Sequence, residues 1–462
     1  MTRLALAKTI VSGTITLQGN TFTFTASSSG TATGKTVTEA KASATAASNS
    51  AAITAARASI DKILVDNSAV LSDLEITSLI SNNLSTTVKV FKPILLKSIA
   101  TTTDGVNYTL KQNTIIGTNQ WLAVPNGISL KTGTYPFVNN GYVQVGEPLQ
   151  DTTIAQIEYS SDSTNTGAVE VLTTGSSTID AGVTFTNSTE NAYLLNNGTC
   201  NNYGTILNSA ESTSVQNNGT FTNYDGSTIE NSGTVLGGGG ISSGIINNGT
   251  FKNSASSTIK NSGISSFIIN NGICNNYGTI LNSGYFTIVT NTVVQNNVDP
   301  NNGTFNNLAG STIENSGGSS SISNAAKFYN YGTILNSGTN ASINTFESFY
   351  NATITSSATI KNSGLQSSLV NSGGTFNNDA GSSITNNGAN STVYNTVYND
   401  NVGIFNNDGA ITNTGPYSST YNFGTFNNDG AITNTGPYSS TSNSGTWNGT
   451  GTCGPAGTCQ NT

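Results

Sequence analysis

Three aspartates, Asp379, Asp408 and Asp429, each follow the tripeptide Phe-Asn-Asn, and the last two lie 21 residues apart in copies of one 16-residue run. Carboxylates held side by side at about 5 Å would suit glycoside hydrolysis, one as acid and one as nucleophile. They would also suit a calcium ion. A plainer reading competes with both. Asp in Asn-Asn-Asp-Gly is a turn former, and Asn or Leu holds related positions in other repeats. A catalytic pair is usually unique, whereas this one belongs to a duplicated run. The corner role is therefore preferred, and no catalytic residue is assigned.

Other chemistry is narrowed by what the chain lacks. It contains no histidine, which removes Ser-His-Asp, Cys-His and histidine–metal sites. No GxxxxGKS phosphate loop occurs, and the GGGG at 237–240 reads as a loop between strands. The four cysteines form two classes. Cys200 and Cys274 replace the Phe of NNGTF, so small buried apolar roles are expected. Three repeats separate them, about 14 Å by strand spacing and too far for a disulfide. Cys453 and Cys459 bracket GPAGT, where a disulfide suits an oxidising compartment. Two thiols without histidine make a poor metal site, so neither metal nor cofactor is expected. Tyr417 and Tyr438, in twin GPYSST segments, and Trp447 are candidate glycan contacts, although packing in a core or corner is the preferred reading. The Asn-x-Ser/Thr acceptors at Asn197, Asn218, Asn248, Asn302 and Asn448 follow from composition and carry no glycosylation assignment.

The elements that must position these residues repeat. FNNDGAITNTGPYSST occurs at 405–420 and again at 426–441; NNYGTILNS occurs at 201–209 and 275–283; STIENSG occurs at 227–233 and 311–317. The apolar residue after NNGT marks a unit: Cys200, Phe221, Phe251, Cys274, Phe305, Phe328, Ile354, Phe376, Phe405, Phe426 and Trp447. The base period is 21 to 23 residues, and longer gaps read as insertions in one loop. A second marker follows six or eight residues later, as at Ile229, Ile259, Ile313, Ile411 and Ile432. Apolar–polar alternation over three to five residues, bounded by Asn-Gly, Asn-Ser-Gly or Asp-Gly, indicates short strands and corners. β-branched residues and Gly in every unit exclude helices. Three strands and three corners per unit predict a right-handed parallel β-helix. Phe221, Phe251, Phe305, Phe376, Phe405, Phe426 and the Ile markers should form its core ladders, and the recurrent Asn residues amide ladders at its corners. Ser311 should lie at a solvated corner. Glu230 and Lys260 should meet across adjacent coils as a surface ion pair worth at most about 1 kcal/mol.

Residues 191–452 carry the regular repeats. Residues 108–190 read as the solenoid entry, with a looser stretch near 147–170, and 453–462 as a tail. Residues 1–107 differ. TIVSGTITLQG and NTFTFTAS read as a hairpin across Gly19-Asn20. Thr36-Val-Thr-Glu39 is a capping box opening an Ala-rich helix to about Leu64. Its narrow face of Ala56, Ile60, Ile63 and Leu64 suits docking on a partner or a second copy.

Only 8% of the 462 residues are charged, against about 25% in ordinary soluble domains. Regularly spaced Phe, Tyr, Ile and Val argue against disorder. A net charge of −8 without a Lys/Arg cluster argues against nucleic acid. No apolar run reaches the 18 residues of a membrane span, and the N-terminus has no secretory apolar stretch. A Thr/Asn/Ser-rich surface made in a cytosol fits a virion component, assembled inside and exposed later; non-classical secretion is the alternative.

NNGTFNN, NNYGTILNS, STIENSG and the entry WLAVPNGISL resemble the Asn/Gly-rich "NNGTI" β-helix repeats of giant-virus and microbial surface proteins. SSSGTATGKTVTEAKASATAA resembles small modules that precede such repeats. The resemblance covers most of residues 110–452 and implies an exposed structural or adhesive role without catalytic residues. The expectation is a virion fibre or capsid-associated rod, not an enzyme. Residues 1–107 would join it to other structural proteins or to copies of itself, and a host glycan or receptor would be its outer partner. A glycan-binding or depolymerising spike and a bacterial adhesin are the alternatives.

Overall fold

The computed structural model describes residues 3–17, 20–66, 71–146, 153–233, 243–292, 303–352, 357–398, 401–455 and 458–461. The chain divides into two compact units. One comprises Met1–Ser98, Ile116–Ala123 and Gly141–Val143; the other comprises Ile99–Ile115, Val124–Asn140 and Gln144–Thr462.

In the first unit, β1 (Arg3–Leu17) and β2 (Asn20–Gly34) form an antiparallel hairpin with Leu17 opposite Asn20. Gly19, expected in its turn, lies outside the described residues. The helix α1 (Val37–Asp66) opens on its capping box. The Glu39 N–H donates to Thr36 Oγ1 at 3.2 Å, and the Thr36 N–H to Glu39 Oε2 at 3.1 Å. The narrow helix face assigned to a partner is instead covered by the chain's own sheet. Ala40 and Ala44 pack with Ala5 and Ala7 of β1, while Ala56, Ile60 and Leu64 pack with Val11, Ile15 and Phe24. Glycine permits this close approach. A Cβ on Gly30 would come within 2.6 Å of the Ser48 backbone nitrogen. Small residues bury little apolar area, so hydroxyls fill the seam. Ser48 donates to Thr9 at 2.8 Å, and Thr9 and Thr86 each donate to Asn49 Oδ1 at 2.7 Å.

Two further elements follow. The helix α2 (Asp73–Asn82) carries a Ser72–Glu75 capping box, and β3 (Leu84–Ile94) pairs antiparallel with β1. Lys92–Ile94 of β3 then pairs in parallel with Gln120–Leu122.

The second unit is a parallel β-solenoid of about 14 turns. A representative coil has strands Ser214–Asn217, Thr220–Asn223 and Thr228–Asn231. Each pairs in register with its equivalent in the next coil, building three parallel sheets. We name them by their inner residues: face I for the Phe strands, face II for the Ile strands, face III for the third set. Successive side chains alternate in and out, so the second and fourth residues of each strand point inward. From Tyr193 onward the second is apolar and the fourth is Asn in most strands, with Thr345, Thr420 and Thr441 among the exceptions. Phe221, Phe251, Phe305, Phe376, Phe405 and Phe426 occupy the inner column of face I, and Ile229, Ile259, Ile313, Ile411 and Ile432 that of face II; all are buried. Burial of each such side chain contributes about 1.5–3 kcal/mol. Parallel pairing about 4.8 Å apart stacks the rings face to face, Phe305 on Phe328 at 4.8 Å and Phe405 on Phe426 at 4.9 Å.

The fourth-position asparagines form three buried amide columns, one per face. Asn217 is typical. Its Nδ2 donates to Asn247 Oδ1 at 2.7 Å and to the Thr250 carbonyl at 3.0 Å, while its Oδ1 accepts from Asn196. A buried amide is costly unless its donors and acceptor are used, and a 4.8 Å step lets each coil satisfy the next. The expected amide ladders therefore exist, inside the core as well as at the surface. One outer column runs through the corner residues Asn197, Asn218, Asn248 and Asn271.

Several expectations change. The face I position in the coil after Phe328 belongs to Phe349, not Ile354; Ile354 lies outside the described residues. Of the stretch near 147–170 read as loose, 147–152 lie outside the described residues, and the strands Ala155–Tyr159, Ser163–Asn165 and Ala168–Val171 pair with the neighbouring coils. Insertions fall at different corners. Val397 pairs with Val402 in a small antiparallel extension between faces III and I, whereas 234–242, outside the described residues, follow a face II strand. The six- or eight-residue marker spacing is a two-residue difference in the corner between faces I and II. The longer form turns through a left-handed residue, Gly226, Gly310 or Gly381 (φ 78 to 81°) or Ser256 (φ 60°). Ser311, in such a corner, is buried, and its hydroxyl donates to Asn307 Oδ1 at 2.7 Å.

Candidate functional surfaces

The three aspartates share one column. Asn378, Asn407 and Asn428 pair in register, which places Asp379, Asp408 and Asp429 at the same corner of consecutive coils. Partial burial, then the Asp408 charge, raises the Asp379 pKa, so these two carboxylates sense each other. Asp429 is otherwise engaged, accepting from the Thr450 N–H at 2.9 Å and the Thr450 hydroxyl at 3.2 Å. The column thus behaves as a corner whose last member holds the following turn. Among the described residues no group of three or more Cys, Asp or Glu is arranged to hold a metal ion.

One carboxyl was missed at the level of sequence. Glu170, third in the face III strand Ala168–Val171, is pushed up to about 7 by burial. Asn197 Nδ2 approaches its Oε1 at 3.4 Å. Its signal was a charge within the otherwise apolar Ala-Val-Glu-Val.

Tyr417 and Tyr438 lie together at the corner between faces II and III, 55% and 77% exposed, with rings 4.9 Å apart and tilted by 11°. Both adopt left-handed backbone (φ 55° and 59°), which costs an aromatic residue about 1–3 kcal/mol. The corner imposes it. Ser265, Phe286, Ser319, Asn340, Gln366 and Asn390 are left-handed at the same position of other coils, and each of these N–H groups donates to the next coil. Trp447 lies elsewhere. It stacks on Phe426 at 4.8 Å and continues the inner Phe column of face I. The three candidate glycan contacts therefore do not form one platform. Stacking also turns the facing sides of Tyr417 and Tyr438 toward each other, withdrawing them from a sugar ring.

Three more tyrosine pairs share this arrangement: Tyr203–Tyr224 at 4.1 Å, Tyr329–Tyr350 at 4.9 Å and Tyr394–Tyr421 at 5.0 Å. Each joins equivalent positions of adjacent coils, a relation visible in the sequence once the repeat register is known.

The cysteines divide cleanly. Cys200 and Cys274 are free and buried, separated in the face I column by Phe221 and Phe251. Cys453 and Cys459 form a disulfide that joins a face II strand to a face III strand in the terminal coil. Lys260 Nζ meets Glu230 Oε1 at 2.8 Å across adjacent coils, and Lys131 meets Glu158 likewise. Among the described residues no helix is long and apolar enough to cross a membrane.

No family model matches the chain, and neither a curated protein nor a solved structure matches it.

Proposed function

We propose that this chain is a structural surface protein, its solenoid a stiff β-helical shaft in a virion fibre or capsid-associated position, joined to its particle through residues 1–107. The observation that carries this reading is the uniform interior. From Tyr193 to Asn434 almost every strand contributes one apolar residue and one asparagine, and the buried amides tie each coil to the next through face II from Asn139 to Asn434. Shared amides polarise one another and resist piecemeal opening. A shaft needs that property along its length, whereas a catalyst needs it around one cleft. Asp379, Asp408 and Asp429 stand one per coil at an outer corner, which is why no enzymatic role is assigned.

Mass spectrometry of purified particles and cell envelopes from the source tests the reading. The chain should be a major particle protein. Recovery only from the soluble interior of cells would overturn the proposal, and recovery from a bacterial envelope would replace the fibre with an adhesin.

A glycan-binding spike is the second reading, favoured by the exposure of Tyr417 and Tyr438. Glycan-array binding lost on Tyr438→Ala would support it. Glycan cleavage lost on Asp408→Asn would turn it into a depolymerase.

A further inference from the structure

We propose that the tyrosines stacked across adjacent coils are sites of oxidative carbon–carbon coupling, with Tyr417 and Tyr438 the first to react. The inference is independent of the shaft reading and rests on three observations. In-register parallel pairing sets equivalent residues about 4.8 Å apart, so two phenols face each other atom over atom; Ser419 pairs with Ser440, which fixes Tyr417 and Tyr438 at equivalent positions. Four separate pairs repeat the relation, with rings 4.1 to 5.0 Å apart. Tyr417 and Tyr438 are also the pair in which both rings are most open to solvent, free to meet an oxidant and to pivot from stacked to edge-joined. In Tyr203–Tyr224 the rings are closest of the four, and the neighbouring Tyr224 phenol raises the Tyr203 pKa; that pair is the second candidate.

The co-reactant is a one-electron phenol oxidant, such as a haem peroxidase with hydrogen peroxide. Each phenol loses one electron and its hydroxyl proton. The two phenoxyl radicals join through the ring carbons ortho to oxygen, and the ring hydrogens at those carbons return to the oxygens. Two phenols become one biphenol, two hydrogens leave, and one peroxide becomes two waters. The product is a covalent staple between neighbouring coils, made without any new chain contact.

The geometry also supplies its own control. Tyr135, Tyr277, Tyr285 and Tyr398 are comparably exposed but, among the described residues, have no tyrosine stacked on them. Dilute, folded full-length protein should be treated with a haem peroxidase and hydrogen peroxide, and the monomer isolated, denatured and cleaved before aspartate. Cleavage at Asp408 and Asp429 separates 408–428, holding Tyr417 and Tyr421, from 429–462, whose one tyrosine is Tyr438. The expected product is a monomer lighter by two hydrogens whose cross-linked peptide joins those two fragments. It should fluoresce as a biphenol, and Tyr417→Phe, which keeps a stacked ring, should abolish this link alone. Cross-links spread over the exposed tyrosines regardless of stacking, links only between chains, or no link at all would each overturn the proposal.

Discussion

Thr345 pairs in register with Asn371 on face III, and neither the Thr345 hydroxyl nor the Asn371 amide oxygen has a hydrogen-bond partner. Both are buried. In other coils of this column an asparagine sits where Thr345 stands, and its Nδ2 would donate to that oxygen. Asn324, one coil earlier, accepts from Asn291 through Oδ1, but its Nδ2 donates to the Ser348 carbonyl, at 2.9 Å, and not to the next member of the column. The column is thus interrupted by a single residue. Thr345→Asn should repair it, accepting from Asn324 and donating to Asn371, for a gain of about 1–3 kcal/mol in unfolding free energy. Thr345→Val should help less, since it removes one unsatisfied group and leaves the other. Denaturant unfolding should rank Asn above Val above wild type, and an Asn variant weaker than wild type would refute the ladder account.

The Phe column has a comparable gap at Cys274, between Phe251 and Phe305. A void of about 10 Å³ lies beside it, with Ile245, Ile268 and Ile280 in its wall. Ile268 and Ile280 flank Cys274 just as Ile322 and Ile334 flank Phe328 in another coil. A ring therefore fits this coil plan, and the neighbouring stacks at 4.8 to 4.9 Å show that the column accepts one ring per coil. Cys274→Phe should raise stability by about 1–3 kcal/mol through added apolar burial. A lowered melting temperature would mean that the surrounding side chains have closed over the gap and the ring overpacks it.

The buried thiols should make the solenoid alkali-sensitive. Burial pushes Cys200 and Cys274 up to about 12, whereas a thiol in the unfolded chain ionises near about 8.5. Between those values the unfolded state holds fewer protons than the folded one, so stability falls as pH rises. The contribution is intact below about pH 8.5 and declines above it by up to about 1.4 kcal/mol per pH unit for each thiol. Cys274→Ala should reduce that slope between about pH 8.5 and 10, before unfolded tyrosines join the titration. Equal slopes for variant and wild type would show that the thiol is not the titrating group.

These sites indicate what the sequence could disclose. Faces I and II were legible because their markers are nearly constant and sit beside Asn-Gly or Ser-Thr corners. Face III was not, because Leu194, Val215, Ile268, Leu369 and Thr420 share a position without sharing a type. Period-2 alternation in LSTTVKVF and the Ser72–Glu75 pair marked β3 and α2 in the same way that Thr36–Glu39 marked α1, and both went unread. The Ala-lined helix face was visible, but not its partner, since Gly30 and Gly34 act through the absence of a side chain. Among the candidate glycan contacts, Tyr417 and Tyr438 share a corner because they share a repeat position. Trp447 is separated from them because it shares the position of Phe426 instead.

Ser311 provides the sharpest test of the corner geometry. Sequence alone makes Phe305→Asp severe and Ser311→Asp mild, because a serine beside a glycine reads as solvated. In the fold both side chains are buried, and the Ser311 hydroxyl donates to Asn307 Oδ1 at 2.7 Å. Ser227 and Ser257 do the same for Asn223 and Asn253 in two of the other long corners, whereas the buried Ser382 hydroxyl in the Gly381 corner has no hydrogen-bond partner. An aspartate at 311 would set a carboxylate against the oxygen it should donate to, without water to screen it. Both Asp variants should therefore cost several kcal/mol, as an unpaired buried charge does. Ser311→Ala separates the causes. It removes the donor but adds no charge, and Asn307 Oδ1 still accepts from Asn276 Nδ2 at 2.8 Å. Its cost should stay near about 1 kcal/mol, the net worth of one hydrogen bond. Thermal melts should then order wild type, Ser311→Ala and Ser311→Asp by falling stability, with Ser311→Asp close to Phe305→Asp. A Ser311→Asp protein as stable as the Ala variant would return the serine to the solvent and overturn this account of the long corner.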